Sequence, residues 1–260
     1  MFRVNDIFYS LQGEGYNTGR AAVFVRFAGC NLRCPFCDTE FDSYREMTGE
    51  EIVAEIKHLS FTDSGQREAE FRLLVVITGG EPTLQVDETF VDLLHQHGFE
   101  VAMESNGTRP APKNIDWLTV SPKGKSKVDG GKWMVDSGSW IEDSGERIVD
   151  GGERIVESEW WMENILRVNE LKVVFNEHTV PESFLYPLST LHYPPSTLRS
   201  PLSTIHYPPS TLRYPLLYLQ PCDTGDSQRN AYIINRCIEY IKRHPWWRLS
   251  LQTHKLANFK

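Results

Sequence analysis

Three cysteines, Cys30, Cys34 and Cys37, lie within eight residues of one another. They directly follow the apolar run at 23–27, so a strand that ends just before them could present three sulfurs to one point. A structural zinc site usually takes four protein ligands, and an iron–sulfur cluster is normally held by four cysteines. Three thiolates therefore predict a cluster in which one iron stays open for a substrate or a cofactor.

A zinc site is the alternative interpretation of the same cysteines. Either Cys222 or His254 would have to supply the fourth ligand, but neither stands at the paired spacing typical of zinc sites. Cys237 falls on the apolar side of a helical pattern, which predicts a place in the core. We therefore interpret Cys222 and Cys237 as residues that do not bind the cluster.

The elements that must position these cysteines alternate between strand and helix patterns. The run at 73–77 is continuously apolar, which is typical of a strand buried on both faces. Strand patterns occupy residues 2–9, 21–27, 73–77, 99–103, 117–120, 170–175, 216–219 and 247–251. Helix patterns occupy residues 48–59, 87–98 and 228–243. This alternation predicts an α/β fold with parallel strands.

Nearly every predicted strand ends in polar or glycine-rich residues. In barrels and open α/β sheets, the carboxyl ends of the strands are where sites are built. The sequence therefore predicts one α/β domain over residues 1–260, a partial (β/α) barrel with its site at the strand carboxyl ends.

Two segments, at 134–161 and 187–214, are heptamer repeats that interrupt this pattern. Glycine in the first and paired prolines in the second exclude a continuous coiled coil. We interpret both as insertions in surface loops, where added length costs little free energy. A binding or oligomer surface is the alternative.

Composition narrows the class of protein. The net charge of −8 disfavours general nucleic-acid binding, which usually shows as a basic patch. We expect no signal peptide and no membrane span, because no apolar run approaches about 18 residues. Five cysteines, three of them bunched, fit a reducing compartment better than a disulfide framework, so we expect a cytoplasmic protein.

A set of motifs spread along the chain resembles one enzyme family. The cysteine spacing is similar to that of the radical S-adenosylmethionine (SAM) superfamily, and the whole set more closely resembles the 7-carboxy-7-deazaguanine synthase (QueE) family. The matching segments lie at 8–15, 24–30, 37–39, 78–82, 104–108, 121–123, 171–173, 220–221 and 251–255. The cysteine spacing alone would indicate only the superfamily.

The resemblance implies a partial barrel of the radical SAM type and a lyase reaction. A [4Fe-4S] cluster would bind SAM through its open iron and generate a 5′-deoxyadenosyl radical. That radical would take hydrogen from 6-carboxy-5,6,7,8-tetrahydropterin, which then rearranges to 7-carboxy-7-deazaguanine with loss of ammonia. The family needs Mg²⁺ for this rearrangement. The product would serve queuosine or other 7-deazapurine biosynthesis.

The resemblance also assigns residues to each group. The cluster ligands are Cys30, Cys34 and Cys37, and Thr39 supplies a hydroxyl to Mg²⁺. The substrate is contacted by Leu11, Gln12, Gly13, Glu14, Arg26 and Thr78. SAM is contacted by Phe36, Cys37, Asp38, Gly80, Ser121, Pro122, Lys123, Gln220, Pro221, Cys222 and Asp223. We also expect a homodimer and an electron donor such as flavodoxin or ferredoxin.

Several of these residues have ordinary structural alternatives. Arg26 is predicted to clamp the substrate carboxylate, because an unpaired guanidinium is costly to bury, yet it could pair with a structural acid. Thr39 could be a local cap, Asn106 a turn residue and His254 a surface residue. Two other functions also stay open: a glycyl-radical-enzyme activase, and a non-catalytic metal-binding module.

Overall fold

In the computed structural model, most of the chain outside the repeats is described residue by residue. The described ranges are 1–34, 36–37, 39–60, 72–123, 164, 167–185 and 215–260, together with five short strands between 125 and 156. The repeat at 187–214 and the pair Trp160–Trp161, predicted to mark a return to packed structure, lie outside the described residues.

Fifteen strands and four α-helices lie in the described part of the chain. The strands are β1 Phe2–Leu11, β2 Ala21–Phe27, β3 Leu32–Arg33, β4 Arg45–Met47, β5 Leu74–Gly79, β6 Glu100–Ser105, β7 Trp117–Val120, β8 Lys125–Asp129, β9 Lys132–Asp136, β10 Ser139–Ile141, β11 Ile148–Val149, β12 Arg154–Val156, β13 Glu170–Phe175, β14 Leu216–Pro221 and β15 Trp247–Leu249. The helices are α1 Gly49–Ser60, α2 Glu88–Gln96, α3 Ser227–Arg243 and α4 Thr253–Ala257, and 3₁₀ turns lie at Pro82–Leu84 and Pro181–Leu185.

Local hydrogen bonds explain where the helices begin. At α1 the Glu51 amide donates to the Thr48 hydroxyl and the Thr48 amide donates to the Glu51 carboxylate, a reciprocal capping box. The Asp87 carboxylate accepts from the amide of Phe90 at α2, and Asp226 caps α3 in the same way. These contacts satisfy amides that the first helical turn would otherwise leave unpaired.

A nine-stranded sheet forms the centre of the fold, in the order β15-β14-β13-β7-β6-β5-β2-β1-β4. The seven strands from β15 to β2 are parallel to one another. Among the described strands the outer two, β15 and β4, do not pair with each other, so the described sheet does not close into a barrel. The predicted α/β fold with a mainly parallel sheet is confirmed.

The edge of the sheet departs from the parallel prediction. β1 is antiparallel to β2, and β4 is antiparallel to β1. Only residues 12–20 connect β1 to β2, and a parallel pair would need a longer crossover connection.

The two faces of the sheet differ in character. The main core lies between the sheet and the helices and contains Phe27, Ile77 and the buried Cys237, whose predicted core position is confirmed. On the other face Ala22, Leu74, Val76 and Ala102 form a small separate cluster. Because side chains alternate along a strand, that inner face also receives the polar residues nearest the strand carboxyl ends.

Two smaller sheets involve the first repeat. One has the order β12-β9-β8 and the other the order β11-β10-β3, so the backbone of Ser139–Ile141 pairs with the loop that carries the cysteines. Among the described helices none is both long and apolar enough to cross a lipid bilayer.

Candidate active site

A cavity of about 430 Å³ opens at the carboxyl ends of the central strands. The parallel strands from β2 to β14 all end at or near this cavity. This is expected, because the carboxyl ends of parallel strands lie along the same edge of a sheet. Its wall combines the cysteine loop, the loop after β1 and the residues that follow β5, β7 and β14.

Cys30, Cys34 and Cys37 share one wall of this cavity. Burial, with smaller contributions from neighbouring cysteines, raises the pKa of the Cys30 thiol to about 12 and that of the Cys34 thiol to about 11. Such thiols are protonated at neutral pH, and a metal centre must displace those protons to bind. The donor set fits a cationic metal centre that would stabilise the thiolates.

The three sulfurs line the wall without closing a cage. Among the described residues no three His, Cys, Asp or Glu side chains converge to hold a single metal ion. Three thiol donors are one fewer than the four protein ligands of a structural zinc site, and they would leave one iron of a four-iron cluster without a cysteine. Neither Cys222 nor His254 joins them in such a group, although both line the cavity.

A second wall is built around Lys172, whose side chain is only 5% exposed. Its ammonium lies 2.5 Å from Glu14 Oε2 and 3.3 Å from Glu104 Oε2. The Gln12 amide donates to Glu104 Oε1 at 2.9 Å. Two carboxyl groups therefore share one ammonium at this wall of the cavity.

Lys172 keeps Glu14 ionised. Burial by itself would raise the pKa of Glu14, but the charge and hydrogen bond of Lys172, with help from Gln252, lower it to about 2. Burial by itself would lower the pKa of Lys172, yet Glu104 and Glu14 raise it well above the usual range. The pair is therefore charged throughout the physiological pH range.

Amide side chains complete this group. Gln220 and Gln252 each donate to Glu14 Oε1, at 3.2 and 3.1 Å, and Ser250 donates to Gln220 Oε1 at 3.0 Å. The side chain of Gln220 is therefore directed at Glu14. Only the backbone of Gln220 would be left to contact SAM, the role that the resemblance implies for it.

Arg26 presents a positive charge to the same cavity. Its guanidinium carbon lies 5.0 Å from the centre of the Phe8 ring, which stacks on Phe24. No described residue forms an ion pair or hydrogen bond with the Arg26 side chain, so a structural acid partner is absent from the described part of the chain. Lys260 also lies over the Phe8 ring, at 4.6 Å, and pairs with Asp6.

Close backbone contact explains the two glycines after β5. A Cβ on Gly80 would lie 1.9 Å from the carbonyl oxygen of Gly29. Gly79 has a φ of +119°, and a Cβ there would lie 2.2 Å from the carbonyl oxygen of Phe27. These glycines let the β5 loop pack directly against the start of the cysteine loop.

The structure gathers nearly all the predicted site residues around one cavity. Those that line it are Leu11, Gln12, Gly13, Glu14, Arg26, Cys30, Cys34, Phe36, Cys37, Thr39, Thr78, Gly80, Ser121, Lys123, Gln220, Pro221, Cys222 and Asp223. Pro122 lies between two lining residues without lining the cavity itself, and Asp38 is outside the described residues.

The sequence did not predict all of the second wall, which we call the charged wall and which contains Lys172, Glu14 and Glu104. Glu104 stood only inside a family motif, and Lys172 was visible as a lysine in an apolar strand pattern, without a role. A charged residue in an apolar run was the available signal, because such a charge must find a buried partner.

The raised pKa of Glu170, which lies on β13 two residues before Lys172, can be tested through its effect on stability. Burial raises the pKa of this carboxyl from 4.5 to about 7, although Lys172 and the Tyr16 amide act in the opposite direction. A raised folded pKa favours the neutral acid, so its stabilising contribution is present below pH 4.5 and is lost as the pH rises through 7. We expect Glu170→Gln to become more stable relative to wild type between pH 5 and pH 8, by up to about 3 kcal/mol.

Urea unfolding of both proteins at pH 5 and pH 8 measures this difference. The exposed Glu239→Gln variant is the control, because its carboxyl pKa is lowered and it does not titrate in this window. A Glu170→Gln stability that followed the wild-type pH dependence would contradict the assignment.

Comparison with known proteins agrees with this geometry. The Radical SAM superfamily profile matches residues 24–121, from β2 to the residue after β7. The 7-carboxy-7-deazaguanine synthase of Bacteroides thetaiotaomicron is 34% identical over 261 residues, which cover 100% of each chain. That of Bordetella pertussis is 34% identical over 268 residues, covering 98% of this chain and 97% of the relative. The crystal structure of QueE from Escherichia coli aligns with a TM-score of 0.56 and 25% identity, covering 96% of this chain and 93% of that chain.

The superfamily match, the cysteine wall and the mainly parallel sheet define a radical SAM enzyme. The 34% identity over the full length of the Bacteroides thetaiotaomicron relative identifies the family within this class. The chain belongs to the 7-carboxy-7-deazaguanine synthase family.

Proposed function

We propose that this protein converts 6-carboxy-5,6,7,8-tetrahydropterin to 7-carboxy-7-deazaguanine with release of ammonia. A [4Fe-4S] cluster on Cys30, Cys34 and Cys37, with SAM bound, would supply the hydrogen-atom abstraction that starts the reaction. The protein would supply binding, orientation and exclusion of water.

The observation that carries this proposal is the charge separation across the cavity. Arg26 is paired in register with Thr78 on β5, and β6 with Glu104 is the next strand. The backbones of Arg26 and Glu104 are therefore two strand spacings apart, which is about 10 Å. A flat substrate with a carboxylate at one end and N–H donors at the other matches this arrangement.

Each wall has a role in holding the substrate. The Arg26 fork would bind the substrate carboxylate through two charge-assisted hydrogen bonds. Glu14 and Gln12, with Glu104 beside them, would accept from the amino and ring N–H groups of the pterin. Leu11, Gly13 and Thr78 would complete the pocket around the ring.

The remaining residues of the cavity wall would contact SAM. Gly80 would face the SAM amino group through its backbone, and Phe36, Cys37 and Asp38 would pack against SAM. Ser121, Pro122 and Lys123, with Gln220, Pro221, Cys222 and Asp223, would enclose its ribose and adenine. Two observed contacts hold side chains of this part of the wall in place. Lys123 donates to Ser121 Oγ at 2.8 Å, and Lys255 pairs with Asp223 at 2.8 Å.

Mg²⁺ would be held by the Thr39 hydroxyl and by substrate oxygens. Magnesium keeps several waters and takes few protein ligands, so one hydroxyl at the cavity wall is compatible with it. Thr39 lines the cavity two residues after the third cysteine.

The remaining proposals concern the protein as a whole. We propose one radical SAM domain over residues 1–260 with the repeats as insertions, a homodimer, and a flavodoxin or ferredoxin as electron donor. Free cysteines that must stay reduced support a cytoplasmic location.

One assay tests the reaction and separates it from the two alternatives. The cluster is reconstituted anaerobically, then SAM, reductant, Mg²⁺ and the carboxytetrahydropterin are added. We expect 7-carboxy-7-deazaguanine and ammonia in equal amounts, and neither product from a Cys34→Ala variant, which should also lose the brown colour of the cluster. SAM cleavage without deazaguanine would favour an activase, and an inert protein with bound zinc would favour a metal-binding module.

A further inference from the structure

Three side chains beside the cysteine loop form a closed ring of hydrogen bonds, which we call the Asn106 ring. Asn106 Nδ2 donates to Asn31 Oδ1 at 3.0 Å, and Asn31 Nδ2 donates to Thr108 Oγ1 at 2.8 Å. Thr108 Oγ1 donates in turn to Asn106 Oδ1 at 2.6 Å. The ring joins the residue after Cys30 to the carboxyl end of β6.

The orientation of the Asn106 amide follows from its partners. Asn106 Oδ1 also accepts from the backbone amide of Thr108 at 2.9 Å, and a backbone amide can only donate. The nitrogen of the Asn106 side chain must therefore face Asn31 and the cysteine loop. This nitrogen carries two hydrogens, and only one is needed for Asn31.

The second hydrogen is available to the sulfur of Cys30. Asn106 Nδ2 lies 3.9 Å from Cys30 Sγ, at the long end for a sulfur acceptor. The backbone amide of Leu32 approaches the same sulfur at 3.4 Å. Cys30 is therefore the one of the three cysteines for which the described residues place two N–H donors at the sulfur.

Glu81 fixes this arrangement from the buried side. Its carboxylate is fully buried and accepts from the backbone amide of Asn106 at 2.7 Å and from the Ser105 hydroxyl at 2.8 Å. Its own backbone amide donates to the Gly29 carbonyl at 2.8 Å. The strand end and the start of the cysteine loop are thus held by the same residue.

We propose that Asn106 is a positioning residue for the iron–sulfur cluster, which holds the Cys30 loop and directs an amide N–H at the Cys30 sulfur. The inference rests on the proposed function, because it takes the three cysteines as the cluster ligands. Hydrogen bonds to ligand sulfurs stabilise the more negative, reduced state of a cluster and so raise its reduction potential. Asn106 therefore favours the reduced cluster that SAM cleavage requires.

The test uses the reconstituted full-length protein without SAM. Iron and sulfide content and the midpoint potential from an EPR-monitored redox titration are measured for wild type, Asn106→Ala and Asn31→Ala. Asn114→Ala is the matched control, since its amide donates to Glu88 and Asp92 beside α2, away from the cavity.

We expect a more negative midpoint potential in Asn106→Ala and in Asn31→Ala, and a wild-type potential in Asn114→Ala. The Glu81 bond to the Asn106 backbone is retained in Asn106→Ala, and Asn31→Ala removes the ring from its other side. Wild-type potentials in both ring variants, with full iron content, would overturn the inference. A wild-type protein that takes up no cluster at all would instead overturn the proposed function.

Discussion

Replacing Lys172 with methionine is expected to lower the free energy of unfolding by about 3–5 kcal/mol and to abolish pterin turnover. The variant leaves Glu14 and Glu104, both partly buried, without the cation that they share. Like charges in a low-dielectric site cannot both stay ionised, so one carboxyl takes up a proton. A protonated acid no longer presents the acceptors that the substrate N–H groups need.

The stability loss should depend on pH with a definite sign. In the wild type the pKa of Glu14 is lowered from 4.5 to about 2, so its contribution is present above pH 4.5 and is lost as the pH falls through 2. The variant lacks this contribution. In addition, ionising its two carboxyls at higher pH without a nearby cation lowers the free energy of unfolding. The difference between the two proteins should therefore be larger at pH 8 than at pH 4.

Urea unfolding at both pH values, with substrate binding measured separately, checks this expectation. Lys242→Met is the matched control, because Lys242 is 65% exposed and its pair with Glu239 should contribute at most about 0.5 kcal/mol. A Lys172→Met protein that unfolded at the wild-type urea concentration at pH 8 would show that Lys172 does not hold the two carboxylates.

Local sequence was sufficient to predict most elements of the fold. The Thr48 capping box and the Asp87 cap act within three residues, so the sequence pattern and the observed hydrogen bonds describe the same contacts. The apolar run at 73–77 became the buried strand Leu74–Gly79 for an equally local reason, since both faces of a central parallel strand are covered. The cysteine wall was likewise local, because its three ligands come from one loop.

The charged wall could not be predicted in the same way, because it depends on contacts between distant segments. Glu14 is 158 positions from Lys172, and Glu104 is 68 positions from it. Lys172 and Glu104 meet because β13 and β6 lie on either side of β7, and Glu14 reaches them from the loop that follows β1. Strand order and register decide that meeting, and neither is encoded in the spacing of any one segment.

Asn106 illustrates the same limit at a smaller scale. The sequence offered a turn residue or a site residue as alternatives for it. The structure gives it both kinds of contact, since its Oδ1 accepts from the Thr108 amide within the turn and its Nδ2 reaches Asn31 in the cysteine loop. The second contact needs the close approach of β6 to the residues after β2, which the glycine-mediated packing of the β5 loop allows.

Replacing Arg26 with glutamine is expected to lower kcat/KM for the carboxytetrahydropterin by about 10- to 150-fold, the equivalent of about 1.5–3 kcal/mol for a charged hydrogen-bonded contact. Among the described residues the guanidinium contacts the Phe8 ring but has no ion-pair or hydrogen-bond partner, so its charge is available to the substrate. Glutamine keeps a polar group over the Phe8 ring but loses the charge and the two-pronged geometry. The affinity for SAM should stay unchanged, because Arg26 is assigned to the substrate alone.

A substrate lacking the carboxylate makes this expectation specific. A tetrahydropterin without that group should bind wild type and Arg26→Gln equally, because the contact under test is missing from both complexes. Arg20→Gln is the protein control, since Arg20 forms a bidentate pair with Glu100 and does not line the cavity. If Arg26→Gln weakened both ligands by the same factor, the guanidinium would be acting on the shape of the pocket rather than on the carboxylate. A loss confined to the carboxylated pterin would establish which end of the substrate faces β2, and with it which end faces Glu14 and Lys172.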